Sequence, residues 1–210
     1  PSPGPVSLLP DAPPAAWAAS LELVVEPALR LEHHRSIRAL DAAEWDRCLG
    51  ANGTYTAAGL AMLEAIFTRP ESRPEDRWAF HYFAVRDREG RPVALTFFTE
   101  ALWKDDMVAR KAVSEAVEAE RARRGDPYWL TSRTFAMGSL LSEGRHLWLD
   151  RAGPWREALD LVLAAADAER QACGATVLAL RDFEPGNGPL EAHLRARGFL
   201  RFQMPDAAIL

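Results

Sequence analysis

The chain has 210 residues, 48% of them apolar, so it is long enough for one well-buried core and too short for two full domains. Its formal net charge of −5 argues against a surface that attracts nucleic acid or anionic lipid as a whole. A small ligand, neutral or guided by a local basic patch, fits this charge better.

Cysteine content and hydropathy suggest a reducing compartment. Cys48 and Cys173 are the only cysteines, too few for a disulfide framework, and they are not spaced with paired histidines as in a zinc site. The chain contains no uninterrupted apolar run of the roughly eighteen residues that a membrane span requires. The first residues also lack the basic start and apolar centre of a secretion signal. We therefore expect a cytoplasmic protein with no membrane span.

The N-terminal segment has a linker composition. Its first fourteen residues, PSPGPVSLLPDAPP, carry six prolines, which favour extended, unpaired backbone. We expect a Pro-rich linker or extension over residues 1–28 and one folded domain over 29–210. One interpretation is that another domain precedes the linker in a larger protein.

The first half of the domain alternates strand and helix signals. Aromatic and β-branched residues indicate strands, and apolar residues three to four apart indicate helices. The predicted elements are a strand over 29–40, a helix capped by Asp41 and running to Leu49, a helix over 56–68, and two strands, WAFHYFAVRD and RPVALTFFTEALW, paired as an antiparallel hairpin.

The second half continues with a helix over 107–124 that Gly125 ends. The further predicted elements are strands in YWLTSRTFAMGSLL and HLWLD, a helix over 154–172, a strand TVLALRDF parallel to HLWLD, a helix LEAHLRARGF and a last strand LRFQMPDAAIL. This order predicts an α/β fold with a mixed, mostly antiparallel sheet and flanking helices.

The break between HLWLD and the next helix is the most informative local feature. The first N–H groups of a helix lack partners and its dipole makes that end positive, so the turn is a natural phosphate seat. Gly153 permits close approach, Pro154 suits the first helical position, and Arg151 and Arg156 add charge. An ordinary crossover turn is the alternative interpretation.

Over most of residues 29–210 the chain resembles the GNAT superfamily of acyl-CoA N-acyltransferases, particularly its FemAB-like branch. The resemblance rests on the element order, on RPVALTFFTEALWKDD and TSRTFAMGSLLSEGRHLWLD, and on the βαβ unit followed by LEAHLRARGFLRFQMPD. It implies a GNAT-like fold and acyl transfer from a thioester to an amine.

In that family the strand before the crossover helix offers backbone groups to the pantetheine arm. The next turn, written Arg or Gln, two residues, Gly, one residue, Gly or Ala, binds the pyrophosphate. The resemblance assigns these roles to Leu147, Leu149, Arg151, Ala152, Gly153, Trp155 and Arg156. This chain departs from the pattern, because one residue separates Arg151 from Gly153 and Trp155 stands where a small residue is expected. The indole could block the pyrophosphate position or point into the core.

The departure leaves several acyl donors open. Acyl-CoA and the phosphopantetheine thioester of an acyl carrier protein are both candidate co-substrates, and the FemAB-like branch also includes enzymes that use aminoacyl-tRNA. The acidic chain makes nucleic acid the weakest of these.

Acyl transfer to an amine requires a proton acceptor and donors to a developing oxyanion. Glu143 is our first candidate for the base, although Ser-Glu-Gly also suits a hairpin turn. His146 and Glu100 are further catalytic candidates. For His146 the alternative is a half-buried strand residue with one hydrogen bond.

Other polar residues are candidates for binding the acceptor. Lys104 and Asp105 cluster near Glu100, where they could equally form a solvated loop. Ser132 and Arg133 lie in an apolar strand, where Arg133 could hold a substrate carboxylate or face solvent. Asp182 ends a strand at the edge where ligands gather in α/β sheets, with an internal ion pair as the alternative.

Other site classes find less support. His33 and His34 occupy opposite faces of a strand, so they do not predict a shared metal, and we expect none. No Ser-His-Asp spacing, Walker loop or dinucleotide fingerprint is present in the sequence. The sequence thus predicts an N-acyltransferase acting on a small-molecule amine. The alternatives are a non-catalytic domain that recruits a carrier protein or a fused upstream pyridoxal-phosphate-dependent synthase, and an aminoacyl-tRNA-dependent transferase.

Overall fold

The computed structural model describes residues 28–52, 55–107, 109–183 and 187–202. The expected linker lies outside these residues except for position 28. Of the predicted last strand, residues 200–202 form no strand and 203–210 lie outside the described part.

Within the described residues, six strands and five α-helices follow one another in the predicted order, without the predicted last strand. They are β1 (Leu29–His34), α1 (Ala42–Leu49), α2 (Ala57–Phe67), β2 (Ala79–Asp87), β3 (Pro92–Lys104), α3 (Lys111–Arg124), β4 (Thr131–Met137), β5 (Leu147–Leu149), α4 (Trp155–Ala172), β6 (Val177–Ala179) and α5 (Gly188–Ala196). The first strand is shorter than predicted, because Ser36 caps a single 3-10 turn after it. The third helix begins four residues later than predicted.

Side-chain caps begin the first two helices, of which only the Asp41 cap was predicted. The Asp41 carboxylate accepts from the Glu44 N–H at 2.7 Å, and Thr56 Oγ1 accepts from the Gly59 N–H at 3.0 Å. Gly125 ends α3 in the left-handed conformation, with φ of 65°.

The sheet has the order β1-β2-β3-β4-β6, and all of these neighbours are antiparallel except β4 and β6. The long strand β3 also pairs with β5, through Ala94↔Leu149 to Thr96↔Leu147. Since β4 pairs with the other half of β3, β4 and β5 follow one another along the same edge, separated by residues 138–146.

TVLALRDF runs parallel to HLWLD, as predicted, but the two segments do not pair with each other. β6 runs in the same direction as β5, but it pairs with β4, through Thr134↔Val177 to Ala136↔Ala179. Pairing at β4 leaves the outer edge of β5 without a strand partner within the described chain. This edge is where the candidate site lies.

Two apolar clusters cover the two faces of the sheet. Phe83 and Phe98 face α4 and α5, whereas Tyr82 and Phe97 face α1 and α2, as the alternation of side chains along a strand requires. The fold is thus α/β with a mostly antiparallel sheet between helices, as predicted. None of the helices formed by the described residues is long and apolar enough to cross a membrane.

Candidate functional site

A cleft of about 270 Å³ follows the open edge of β5. One wall is the segment from Arg145 to Leu149, and the other is the segment from Arg181 to Phe183 that follows β6. Asn187 and Leu190 close the end next to α4. The cleft therefore exists because β6 pairs with β4 and leaves β5 uncovered.

The backbone of β5 offers its polar groups to this cleft. The Asp150 N–H donates to the Val93 carbonyl at 2.9 Å, which marks these two as a hydrogen-bonded pair of the β3–β5 ladder. Hydrogen-bonded and non-bonded pairs alternate along an antiparallel ladder, so the N–H and C=O groups of Leu147 and Leu149 point to the opposite edge. Both residues line the cleft.

The turn before α4 is partly filled by a side chain of the protein itself. Asp150 Oδ1 accepts from the Ala152 N–H at 3.1 Å, and the Trp155 N–H donates to the Gly153 carbonyl at 2.8 Å. A Cβ at Gly153 would lie 3.1 Å from Asp150 Oδ2. A carboxylate thus already occupies part of the predicted phosphate seat.

Trp155 points into the core and does not cover the end of the helix. Its ring is 6% exposed, belongs to the apolar cluster that contains Leu190, and lies 5.6 Å from the ring of His193. The guanidinium carbons of Arg151 and Arg156 both lie 4.4 Å from its centre. The indole therefore anchors two arginines at the head of α4.

These arginines form a positively charged group beside the cleft. Burial, followed by the charges of Arg156 and Arg145, lowers the pKa of Arg151 below its usual range. Arg151 also donates to Asn187 Oδ1 at 3.3 Å, which fixes it at the cleft entrance. An anion bound here would relieve the repulsion among the guanidinium groups.

His146 lies at the inner end of the cleft. Its side chain is fully buried, and burial together with the charge of Arg181 lowers its pKa to about 3. Nε2 lies 2.9 Å from Ser142 Oγ, and Nδ1 lies 3.4 Å from Asp182 Oδ2. That last contact is too poorly aligned for a hydrogen bond, and Nδ1 has no other partner among the described residues. The imidazole is therefore neutral, and its Nδ1 lies near Asp182 without forming a hydrogen bond.

Asp182 occupies a strained position opposite His146. Its φ of 61° lies in the left-handed region, which few residues other than glycine adopt. Burial raises the pKa of its carboxyl, although Arg181 Nε donates to Oδ2 at 3.0 Å and opposes the shift. A carboxylate with a raised pKa at a cleft wall is suited to accept a proton.

Ser142, His146 and Asp182 lie next to one another in space as the three members of a catalytic triad do, with the histidine in the middle. The spacing of these residues in the sequence did not reveal this arrangement. Ser142 is only 1% exposed, and its Oγ contacts the Ser139 N–H at 2.7 Å and the Ser139 carbonyl at 3.1 Å. Since the hydroxyl is enclosed by these contacts and by His146, it cannot reach a substrate as a nucleophile. Ser142 orients the imidazole instead.

Sequence analysis did not single out Tyr55, which packs against this group. Its ring lies 4.6 Å from that of His146, and burial followed by the charge of Asp182 raises its pKa. Its hydroxyl is buried without a hydrogen bond inside the described structure. No local sequence pattern links Tyr55 to His146.

Several predicted site residues lie elsewhere. Glu143 is exposed at the rim, in the loop between Ser142 and Gly144. Glu100 forms an ion pair with Arg133, four residues along β3 from Thr96, or about 14 Å from the part that pairs with β5. Lys104, exposed Asp105 and half-buried Ser132 lie still further along the sheet. The structure thus brings His146, Asp182 and the β5 backbone together, and separates them from the predicted acceptor residues.

A larger depression of about 490 Å³ lies at that far end, beside α3. Its acidic groups have cationic partners: Glu118 pairs with Lys104 and Arg121, and Glu75 pairs with Arg73 at 3.7 Å. The β5 cleft has uncompensated backbone groups and a raised carboxyl pKa, so we regard the smaller cleft as the candidate site.

Comparison with known proteins gives fold-level similarity only. No protein-family model matches the chain, and neither does any curated protein. Among solved structures, the chain is similar to a ribosomal-protein-alanine N-acetyltransferase from Brucella melitensis biovar Abortus, at 12% identity and a TM-score of 0.45 over 87% of this chain and 99% of that one. It is also similar to an aminoglycoside N-acetyltransferase in complex with CoA, at 10% identity and a TM-score of 0.46 over 89% and 97%.

Proposed function

We propose that the chain is a GNAT-type N-acyltransferase that moves an acyl group from a thioester to an amine. The observation that carries this proposal is the open edge of β5, which runs along a cleft and leads directly to the arginines at the head of α4. A pantetheine arm carries amides that can pair with an exposed strand edge, and a phosphate follows it. Leu147 and Leu149 would bind the arm, and Arg151 and Arg156 the phosphate.

The thioester supplies an activated acyl group. In direct attack, the amine nitrogen forms a bond to the acyl carbon, the carbon–sulfur bond breaks, the sulfur leaves as a thiolate, and the amine loses a proton that is finally passed to the thiolate to give the free thiol. Asp182 accepts that proton, directly or through water, because its raised pKa and cleft position suit a base. Neutral His146 lies on the opposite wall of the cleft. Exposed Glu143 is the competing candidate for the base.

The donor is either CoA or a carrier-bound phosphopantetheine, and the turn before α4 bears on this choice. Asp150 takes the Ala152 N–H that a pyrophosphate would otherwise use. The residues therefore fit a single phosphate beside the arginines better than a full pyrophosphate cradle. Of the two donors, this favours the phosphopantetheine thioester of a carrier protein over CoA.

Thiol release tests the function. The full chain is incubated with acetyl-CoA, longer acyl-CoAs or an acylated carrier protein, each with a panel of amines, and free thiol is measured. Amine-dependent thiol release, strongly reduced in Asp182→Asn, is the expected result. Tight carrier binding without turnover would indicate the recruiting domain, and salt-sensitive tRNA binding with aminoacyl transfer would indicate the tRNA-dependent enzyme; either would contradict the proposal.

A further inference from the structure

Three side chains from three separate elements meet on the α4 face of the sheet. They are His33 of β1, His81 of β2 and Glu169 of α4. His33 Nε2 lies 3.2 Å from His81 Nδ1, Glu169 Oε2 lies 3.7 Å from the same His81 Nδ1, and Glu169 Oε1 lies 3.4 Å from His33 Nδ1. With one ligand atom taken from each residue, the three atoms lie within 4.8 Å of one another. His81 is buried, whereas the His33 and Glu169 side chains are 25% and 26% exposed. The cluster is thus buried on the His81 side and accessible to solvent on the side of His33 and Glu169.

We propose that His33, His81 and Glu169 form a binding site for Zn²⁺ or a similar divalent transition metal. Two nitrogens bound to one zinc at about 2.0–2.1 Å, at a tetrahedral angle, lie about 3.3–3.4 Å apart. The His33–His81 separation is close to this value without any movement of the strands. Two imidazoles and one carboxylate form a known ligand set, and a water molecule completes the coordination.

The neutral state of both rings favours the site. Burial lowers the pKa of His81 to about 3 and also lowers the pKa of His33. Both imidazoles are therefore neutral at neutral pH, so the metal does not have to displace a proton from a charged ring.

Arg35 occupies this site when no metal is bound. Its guanidinium lies 2.7 Å from His81 Nε2 and donates to Glu169 Oε2 at 2.7 Å. Because arginine can only donate, His81 must be protonated on Nδ1, and that proton is directed to His33 Nε2. A metal bound at His81 Nδ1 moves the proton to Nε2, where Arg35 can no longer donate. Arg35, whose side chain is 57% exposed, swings out, so the guanidinium and the metal exclude one another.

The site is remote from the β5 cleft. Glu169 lies fourteen residues after Trp155 in the same helix, or about 21 Å along its axis. A metal here joins β1, β2 and the C-terminal half of α4, so it stabilises the fold and takes no part in acyl transfer. The proposal is therefore independent of the proposed function.

Zinc titration of the full chain, without a polyhistidine tag, tests this site. We expect calorimetry to show one Zn²⁺ per chain, and Co²⁺ to give the strong visible absorption of a four-coordinate site. His33→Ala should weaken binding by more than about tenfold. His34→Ala is the matched control, since His34 lies on the opposite face of β1 and should leave binding unchanged. Arg35→Ala should tighten binding, because the competing cation is gone.

Retention of stoichiometric binding in His33→Ala would place the metal elsewhere and overturn the proposal. Glu169→Gln, a change at a partly exposed position, gives the same test if His33→Ala does not fold. The proposal also fails if neither the wild type nor Arg35→Ala binds one Zn²⁺, or if Arg35→Ala binds it no more tightly than the wild type.

Discussion

The His146 ring fills the space that a side chain at position 138 would occupy. A Cβ at Gly138 would lie 2.4 Å from His146 Nε2, well inside the contact distance of two heavy atoms. Gly138 also has φ of 77°, and its carbonyl accepts from Thr99 Oγ1 at 2.8 Å. Its backbone cannot move away without breaking that bond, so His146 depends on this glycine for its position.

Gly138→Ala should therefore both destabilise the protein and displace His146. We expect the free energy of unfolding to fall by about 3 kcal/mol or more, from backbone strain and overpacking together. Urea denaturation measures the loss. Gly174→Ala is a matched control, because Gly174 has φ of 71° and nothing within 4 Å of its added Cβ. It should lose only about 1 kcal/mol. Equal losses in the two variants would show that the His146 contact has no effect.

Burial of neutral His146 makes stability depend on pH. The unfolded chain binds a proton at this histidine near its ordinary pKa of about 6.5. The folded chain does so only near a pKa of about 3. As pH falls between these values, the unfolded state gains the proton first, so His146 lowers the free energy of unfolding by about 1 kcal/mol per pH unit. His146→Gln should remove this part of the slope. An unchanged slope in the variant would contradict the burial of a neutral ring.

The arginines beside Trp155 should bind the phosphate of the donor. Arg151→Ala and Arg156→Ala should each raise the Kd for acyl-CoA or acyl carrier protein about tenfold, the worth of one charge-assisted hydrogen bond. Arg123→Ala is the control, since Arg123 pairs with Glu120 on α3, remote from the cleft. Calorimetric titration at constant salt gives the constants. If all three variants weakened donor binding to a similar extent, the loss would come from the lower overall charge and not from a phosphate contact at the head of α4.

The assignment of the base makes a prediction about rates. Asp182→Asn should lower kcat by about a hundredfold or more, whereas Glu143→Gln should alter it only slightly. Because the Asp182 pKa is raised and the ionised form accepts the proton, kcat/KM should fall as pH falls through a value above the usual aspartate range of about 4. This acidic limb should disappear in Asp182→Asn. A large loss confined to Glu143→Gln would return the role to Glu143.

Local signals in the sequence predicted most of the elements. Asp41 caps α1 and Gly125 ends α3 as predicted, whereas the cap that Thr56 gives to α2 was not predicted. The strand and turn that were predicted to bind the cofactor also lie together at one cleft, because they are adjacent in sequence. The sequence did not predict that the Asp150 side chain accepts from the Ala152 N–H. This hydrogen bond depends on turn geometry that no residue pattern specifies.

Long-range relations could not be predicted from one sequence. His146 meets Asp182 because β6 pairs with β4, a pairing that the sequence did not specify, and its contact with Tyr55 likewise joins residues far apart in the chain. In the sequence His33 stands next to His34, but the side chain that it contacts is that of His81. The β1–β2 register directs His33 and His81 to the same face of the sheet. Strand register determines both groups, and periodicity along one strand carries no information about the next.

Amide hydrogen exchange with and without the acyl donor tests the central claim most directly. If the outer edge of β5 binds the pantetheine arm, a saturating acyl-CoA or acylated carrier protein should slow exchange at Leu147, Leu149 and the turn that follows by about tenfold or more. Unchanged exchange at these amides, or protection confined to the depression beside α3, would contradict the assignment of this cleft as the thioester site.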